Sequence, residues 1–287
     1  MIPAAFEYVA PTTIAGALKA LADGGEDAKI LGGGQSLLPV LRLRLAAPTV
    51  VVDLSRVAEL KGITVEGDEL VIGAMTTHYE VVTSPDVAEH AALLALTAAT
   101  VADPSIRHRG TLGGALAHAD PAGDLGAPVL ALDANLVIAS PDGSTRTVGV
   151  ADFFQDYFTT AVEPGELLTQ IRIPKHTGWG AQYEKFNRVA QAWSIVAVAA
   201  ALKIDGGTVT QAKVALTNMA STPVRASGVE AALIGQPATL ESFRAAAEHA
   251  AEGTSPGSDI GADAEYRTHL AGVLTRRALA TAAGTVA

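Results

Sequence analysis

The chain has 287 residues, no cysteine and a formal net charge of −10, from 20 basic and 30 acidic side chains. That length suits two domains, or a lobed domain with a smaller one, and an apolar content of 49% supplies a sizeable core. The acidic balance argues against a nucleic-acid or anionic membrane surface, and the missing thiols exclude disulfides, thiolate zinc sites and cysteine-held iron–sulfur clusters in this chain.

Residues Thr12 to Ala22 place Ile14, Leu18 and Leu21 on one face, so a helix is predicted there, capped by Thr12 or Thr13 and stopped by Gly24-Gly25. A short strand, Ala28 to Leu31, leads into Gly32-Gly33-Gly34-Gln35-Ser36, followed by a brief helix or turn over Leu37 to Arg44 and a buried strand over Thr49 to Leu54. Two short strands surround Gly67-Asp68. Ser84-Pro85-Asp86 opens a helix with a hydroxyl cap and proline at its first position, and the apolar run carries it to about Ala102. Thr111-Leu112-Gly113-Gly114 follows, running on to Asp120-Pro121-Ala122-Gly123-Asp124.

Strands are predicted over Ala134 to Ala139, Arg146 to Val150 and Leu167 to Ile173, the last ended by Pro174. Composition shifts at Pro174 to Gly180, which sets a domain division into residues 1–176 and 177–287. Beyond it, Ile195 to Ile204 and Val209 to Asn218 flank the hairpin turn Asp205-Gly206-Gly207. Helices follow near Leu240 to Glu252 and Ala264 to Ala283, the second with Tyr266, Leu270, Val273 and Leu274 on one stripe. The low charged fraction of 17% points to a subunit that buries surface against partners. With no apolar stretch long enough to span a bilayer and no signal-like start, the expected setting is cytoplasmic.

The chemistry concentrates in the two glycine loops. Consecutive glycines remove the Cβ atoms that would hold a ligand away, so backbone N–H groups can reach anionic oxygens. Neither loop has the spacing of a dinucleotide fingerprint or a P-loop. His78, His108 and His118 are not spaced as a metal triad, and no metal is expected.

Taken in order, Gly32 to Pro39, Ile72 to Thr77, Gly110 to Gly114, Asp120 to Asp124, Glu166-Leu167-Leu168 with Ile171 to Pro174, and Tyr183-Glu184-Lys185 resemble the FAD subunits of the molybdenum hydroxylases. This is the xanthine dehydrogenase and carbon monoxide dehydrogenase family. Tyr157-Phe158-Thr159, Leu216-Thr217-Asn218 and Ala264 to Thr268 extend the likeness towards the medium subunits of its carbon monoxide branch. The resemblance implies an α+β fold: a two-lobed FAD-binding domain of the vanillyl-alcohol oxidase and molybdenum hydroxylase type, then a C-terminal domain of a three-stranded antiparallel sheet and helices.

It also implies partners: a large subunit with the molybdenum cofactor and a small one with two [2Fe–2S] clusters, in a dimer of heterotrimers. Electrons would leave through FAD to a quinone or other acceptor, with the complex free to sit at the inner face of the membrane. Carried onto this sequence, Ile30, Leu31, Gly32, Gly33, Gly34, Gln35, Ser36 and Leu37 would form one pyrophosphate contact. Val101, Ala102, Gly110, Thr111, Gly113 and Gly114 would form the other. Asp124 matches an acid on the ribityl or phosphate side, and Leu168 and Lys185 match positions at the flavin ring. A cation there would favour the negative charge that flavin gains on reduction; the plainer alternative for Lys185 is a surface ion pair with Glu184. Trp193 rests either near the flavin or in ordinary core packing. The oxidised substrate is set on another chain, so a purine or heterocycle hydroxylase, and a flavin-free scaffold, remain alternatives.

Overall fold

The computed structural model describes residues 2–285. The first lobe is built from β1 (Glu7–Val9), α1 (Ile14–Gly24), β2 (Ala28–Leu31), α2 (Leu37–Arg42) and β3 (Val50–Asp53). Its three strands form a parallel sheet in the order β1-β3-β2. Thr13 is the cap of α1, its hydroxyl accepting from the Gly16 N–H, and Ala17, Leu18 and Leu21 bury one face of that helix against Val52 and Leu54. In both β1 and β2 the strand pairs with β3, the valine-rich centre of the sheet.

The second lobe begins with the hairpin β4 (Ile63–Glu66) and β5 (Glu69–Gly73), continues through α3 (His78–Thr83), α4 (Pro85–His90), α5 (Ala92–Ala99), α6 (Pro104–Arg107), α7 (Leu112–His118) and α8 (Gly126–Ala131), and returns as β6 (Asn135–Ala139) and β7 (Thr145–Gly149). A turn of helix, α9 (Val150–Phe153), a small hairpin, β8 (Phe154–Asp156) and β9 (Thr159–Thr160), and the long β10 (Leu167–Pro174) complete it. Five of these strands form a sheet in the order β4-β5-β10-β6-β7, every neighbouring pair antiparallel.

The single helix expected from Ser84 to Ala102 is two helices. Ala91, at φ −144° and ψ 49°, breaks the run. The physical reason lies in burial: Leu93, Leu94, Thr97 and Ala98 of this apolar segment are packed into the lobe's core, while Leu96 and Ala99 on its other side stay exposed. A straight continuation of the amphipathic α4 could not bury it. The capping box at Thr77 and Glu80, which starts α3, is a further signal the sequence reading passed over.

The C-terminal part consists of β11 (Gly180–Phe186), β12 (Val196–Asp205), β13 (Thr208–Thr217), β14 (Val224–Arg225), α10 (Ser227–Leu233), α11 (Leu240–Ala247) and α12 (Ala264–Ala282). Three long antiparallel strands, β11-β12-β13, carry the sheet, and the two-residue β14 is added at its edge. Strand β12 shows why its sequence is continuously apolar. Ala197, Ala199 and Ala201 face the second lobe, whereas Val196, Val198 and Leu202 face the helical layer of α10, α11 and α12. Both faces are buried, and the larger side chains all lie on the helical one, which Ala200 shares. On α12, Leu270 and Leu274 are buried, but Tyr266 is exposed and Val273 half-buried, so the expected stripe is narrower.

An ion network also fastens this sheet to the second lobe. The Arg225 guanidinium lies 2.5 Å from both Asp133 and Glu230 and donates to the Leu130 carbonyl, while Lys213 reaches Asp133 at 2.5 Å.

The two lobes meet where β5 ends. There Gly73 lies against the backbone of the first lobe: a Cβ would stand 2.6 Å from the Leu60 carbonyl carbon and 2.8 Å from the Lys61 nitrogen. Backbone cannot withdraw as a side chain can. Gly73→Ala is therefore expected to destabilise the chain by about 1–3 kcal/mol, the usual cost of overpacking, and a urea titration that left the midpoint unchanged would contradict this close approach.

Candidate functional site

A cleft opens where the first glycine loop, the α5–α8 region and the segment after β11 converge. Gln35 and Ser36 line it from the first lobe, Val101, Ala102 and Asp124 from the second, and Lys185 and Trp193 from the C-terminal part. The two glycine loops touch. A Cβ at Gly33 would overlap the Arg109 carbonyl and stand 2.6 Å from the Gly110 Cα, while one at Gly32 would stand 3.2 Å from the Thr111 hydroxyl.

The loops differ in what their backbones offer. In the second, the N–H groups of Gly110, Leu112 and Gly113 donate to Ile106, Thr76 and Ala74 carbonyls, and that of Gly114 donates to the Thr111 hydroxyl. Its glycines have internal reasons too: a Cβ at Gly113 would stand 2.5 Å from that of Ala74, and one at Gly110 would stand 2.8 Å from the His78 ring. In the first loop, the N–H groups of Gly33, Gly34, Gln35, Ser36 and Leu37 have no acceptor among the described residues. Five successive donors without an acceptor, with Gly34 at φ +78°, leave this loop's backbone available to an anion. Ile30 and Leu31 lie on β2, half-buried, and feed this loop.

At the far side, Asp124 is the polar centre. Its carboxylate accepts from the Tyr183 hydroxyl at 2.9 Å, the Ser194 hydroxyl at 2.7 Å and the Lys185 ammonium at 2.7 Å. The Lys185 and Asp124 side chains are only 7% and 8% exposed. Burial, reinforced by the neighbouring Asp124 charge, pushes the Tyr183 phenol well above its ordinary value, so it remains a donor. Lys185 thus pairs with Asp124 across the two parts of the chain and not with Glu184, which instead accepts from Gln182. Strand alternation explains this, because β11 turns Tyr183 and Lys185 to the face opposite Glu184.

Trp193 is not a core residue. It is 60% exposed at the cleft and its indole N–H donates to Asp120 at 2.8 Å, while Gln191 from the same segment donates to Asp103 at 2.8 Å. Leu168 is placed elsewhere: it is 5% exposed in the core of the second lobe, on β10, and is not part of the cleft wall. Its β10 neighbour Glu166 is held in turn by Arg146 at 2.6 Å. Two alanines of the cleft wall, Ala102 at φ +43° and Ala119 at φ +50°, adopt the left-handed conformation that costs a residue with a Cβ roughly 1 kcal/mol or more.

His78, which the sequence analysis weighed only against a metal triad, lines the cleft and is buried. Burial, with a smaller contribution from the Arg107 charge, pushes its imidazole down to about 4, so the ring is neutral at physiological pH. Among the described residues no group of three or more His, Asp or Glu side chains is arranged to hold a metal, and no helix is long and apolar enough to cross a membrane.

Comparison with known proteins places this geometry in context. Residues 4–176 match the family described as the FAD binding domain in molybdopterin dehydrogenase, and residues 181–282 match the CO dehydrogenase flavoprotein C-terminal domain. The chain is 41% identical to the carbon monoxide dehydrogenase medium chain of Hydrogenophaga pseudoflava, with 97% of each chain covered. The solved carbon monoxide dehydrogenase from that organism superposes with a TM-score of 0.95 at 42% identity, covering all of both chains. Quinoline 2-oxidoreductase from Pseudomonas putida 86 superposes with a TM-score of 0.94 at 36% identity, covering 99% of each.

Two measurements probe the site without a ligand. Between pH 6.5 and 4 the unfolded chain binds a proton at His78 that the folded chain does not, so stability is full above 6.5 and is lost as the pH falls towards 4. In the cofactor-free chain, His78→Gln should flatten the drop in urea midpoint between pH 7 and 5, and equal drops in both proteins would contradict the assignment. Lys185→Met leaves a buried carboxylate without its cation, and calorimetry should show a loss of about 3 kcal/mol.

Proposed function

Since the chain belongs to the FAD-binding flavoprotein family of the molybdopterin dehydrogenases, we propose that it is the electron-transfer subunit of a carbon monoxide dehydrogenase-type complex. The five free N–H groups of residues 33–37 carry this reading, because a dinucleotide pyrophosphate is the anion they suit. The division after residue 176 then separates the FAD-binding part from the C-terminal part, and the isoalloxazine end extends towards Lys185 and Trp193. The donor set fits the cofactor. A preformed anion concavity, an apolar wall at Val101 and Ala102, and a buried cation at the opposite end suit its three chemical portions in turn.

Bound FAD would supply two-electron chemistry between an iron–sulfur partner and an acceptor. The protein's share is to hold the pyrophosphate with neutral backbone donors, to fix Lys185 by its pairing with Asp124, and to limit water with the segment carrying Gln191 and Trp193. A large molybdenum-cofactor chain and a small chain with two [2Fe–2S] clusters complete the assembly, as a dimer of heterotrimers delivering electrons to a quinone at the inner face of the membrane. The higher identity to the carbon monoxide enzyme than to the quinoline enzyme favours the former substrate. The active-site loop of the large partner separates the two.

The purified complex should contain one noncovalent FAD per copy of this chain. Substrate should still reduce the clusters when this chain is omitted, while electron delivery to quinone or dye slows. Full-rate delivery without the chain would refute the role. The Lys185–Asp124 pair gives a finer check. Lys185→Met should lower the two-electron flavin potential by about 30 mV or more, equivalent to ~1.4 kcal/mol, because an uncompensated carboxylate opposes the charge of the reduced ring. The double variant with Asp124→Asn should recover most of it in spectroelectrochemistry, and equal potentials in all three proteins would remove the pair from flavin tuning.

A further inference from the structure

Three buried side-chain polar atoms have no hydrogen-bond partner among the described residues: Nδ1 of His78, Nε of Arg267 and Oγ1 of Thr275. Only His78 lines the cleft. Its orphan atom constrains the tautomer. A buried N–H without an acceptor is rarer and costlier than a bare acceptor nitrogen, which assigns the ring proton to Nε2 and leaves the buried Nδ1 unprotonated. The Nε2–Cδ2 edge then lies against Gly110, whose missing Cβ would stand 2.8 Å from both atoms. Gly110 in turn abuts Gly33, the first of the five free donors. Imidazole edge, Gly110 and Gly33 therefore stand in contact one after another, and His78 shares the cleft wall with Gln35 and Ser36 of the first loop.

We propose that His78 is a binding residue for the cofactor's pyrophosphate, donating one neutral hydrogen bond from Nε2 to a phosphate oxygen beside the first glycine loop. The inference rests on the reading of the cleft as an FAD site. It is supported by what the neighbouring cations do. Arg107 is spent on the Val101 carbonyl at 2.8 Å and the Ala102 carbonyl at 3.4 Å, and Lys185 is spent on Asp124, while Arg109, whose carbonyl lies against Gly33, keeps an exposed side chain. The backbone donors of the first loop are uncharged, and a ring kept neutral by burial adds one more donor without adding charge. Gly110 is then glycine for the sake of the histidine, and only through it for the ligand.

The test uses the flavin-stripped complex containing the full chain, titrated calorimetrically with FAD and, separately, with ADP. His78→Phe keeps the ring-shaped packing and removes the donor; it should weaken both ligands about tenfold or more, as loss of one hydrogen bond to a charged acceptor does. His78→Gln places an amide N–H near the Nε2 position and should bind both within about threefold of wild type. Equal FAD affinity in wild type and His78→Phe would overturn the proposal, as would a loss confined to FAD with ADP unaffected, which would move the contact away from the phosphates. Should His78→Phe fail to fold, the wild-type chain labelled with 15N-histidine gives a second readout. Addition of ADP should shift the His78 Nε2 resonance, and an unmoved resonance at saturating ADP would overturn the proposal. Failure of the wild-type complex to bind FAD at all would instead refute the reading of the cleft.

Discussion

The buried pair of Asp124 and Lys185 is the constraint to which the other parts of the site answer. Two charges taken out of water cost several kcal/mol each unless geometry and additional donors compensate, and removing either partner leaves the other exposed to that cost. The chain meets the requirement by bringing Tyr183 and Ser194 to the same carboxylate. Asp124 belongs to the second lobe, whereas its three donors all belong to β11 and the segment that follows it. The pair therefore fixes how the C-terminal sheet is set against the lobe, and with it the position of everything that β11 carries to the cleft. The alanine face of β12 permits that closeness, and the Arg225 network holds the opposite border of the same interface.

The two glycine loops, so alike in sequence, have divided their work. The second spends the N–H groups of Gly110, Leu112 and Gly113 on neighbouring carbonyls and that of Gly114 on the Thr111 hydroxyl, and packs its missing side chains against Ala74 and His78. The first leaves five successive donors free, against the single Thr111 N–H in the second. Sequence can show that a Cβ is absent but not what occupies the space, which is a property of the tertiary contact.

Much of the fold was legible because its determinants are local. The cap at Thr13, the proline-led start of α4 and the hairpin around Gly206-Gly207 each act within a few residues. The break at Ala91 was not legible, since no proline or glycine marks it and burial of α5 decides it. The cleft followed the same rule. Ordered motifs pointed to Asp124, Lys185 and the loops, but Leu168 sits in the core, and Lys185 found its partner 61 residues away in sequence. His78 was missed because a lone histidine after a threonine pair has no periodic signature; its character comes from Gly110, 32 residues distant by the numbering of the two positions.

Ala102 and Ala119 bear on how the cleft behaves before anything enters it. Glycine would accept their left-handed conformation freely, yet alanine stands in both places. An alanine restricts the unfolded chain more than glycine does, so it trades local strain for a smaller loss of freedom on folding. The walls they form are held in shape by the chain itself, and a ligand arriving between them would find little left to order. Affinity that would otherwise be consumed in stiffening loops is then available for contact. For a protein through which electrons would pass, such a wall has a second merit: a pocket that hardly rearranges keeps donor and acceptor at a constant separation, turnover after turnover.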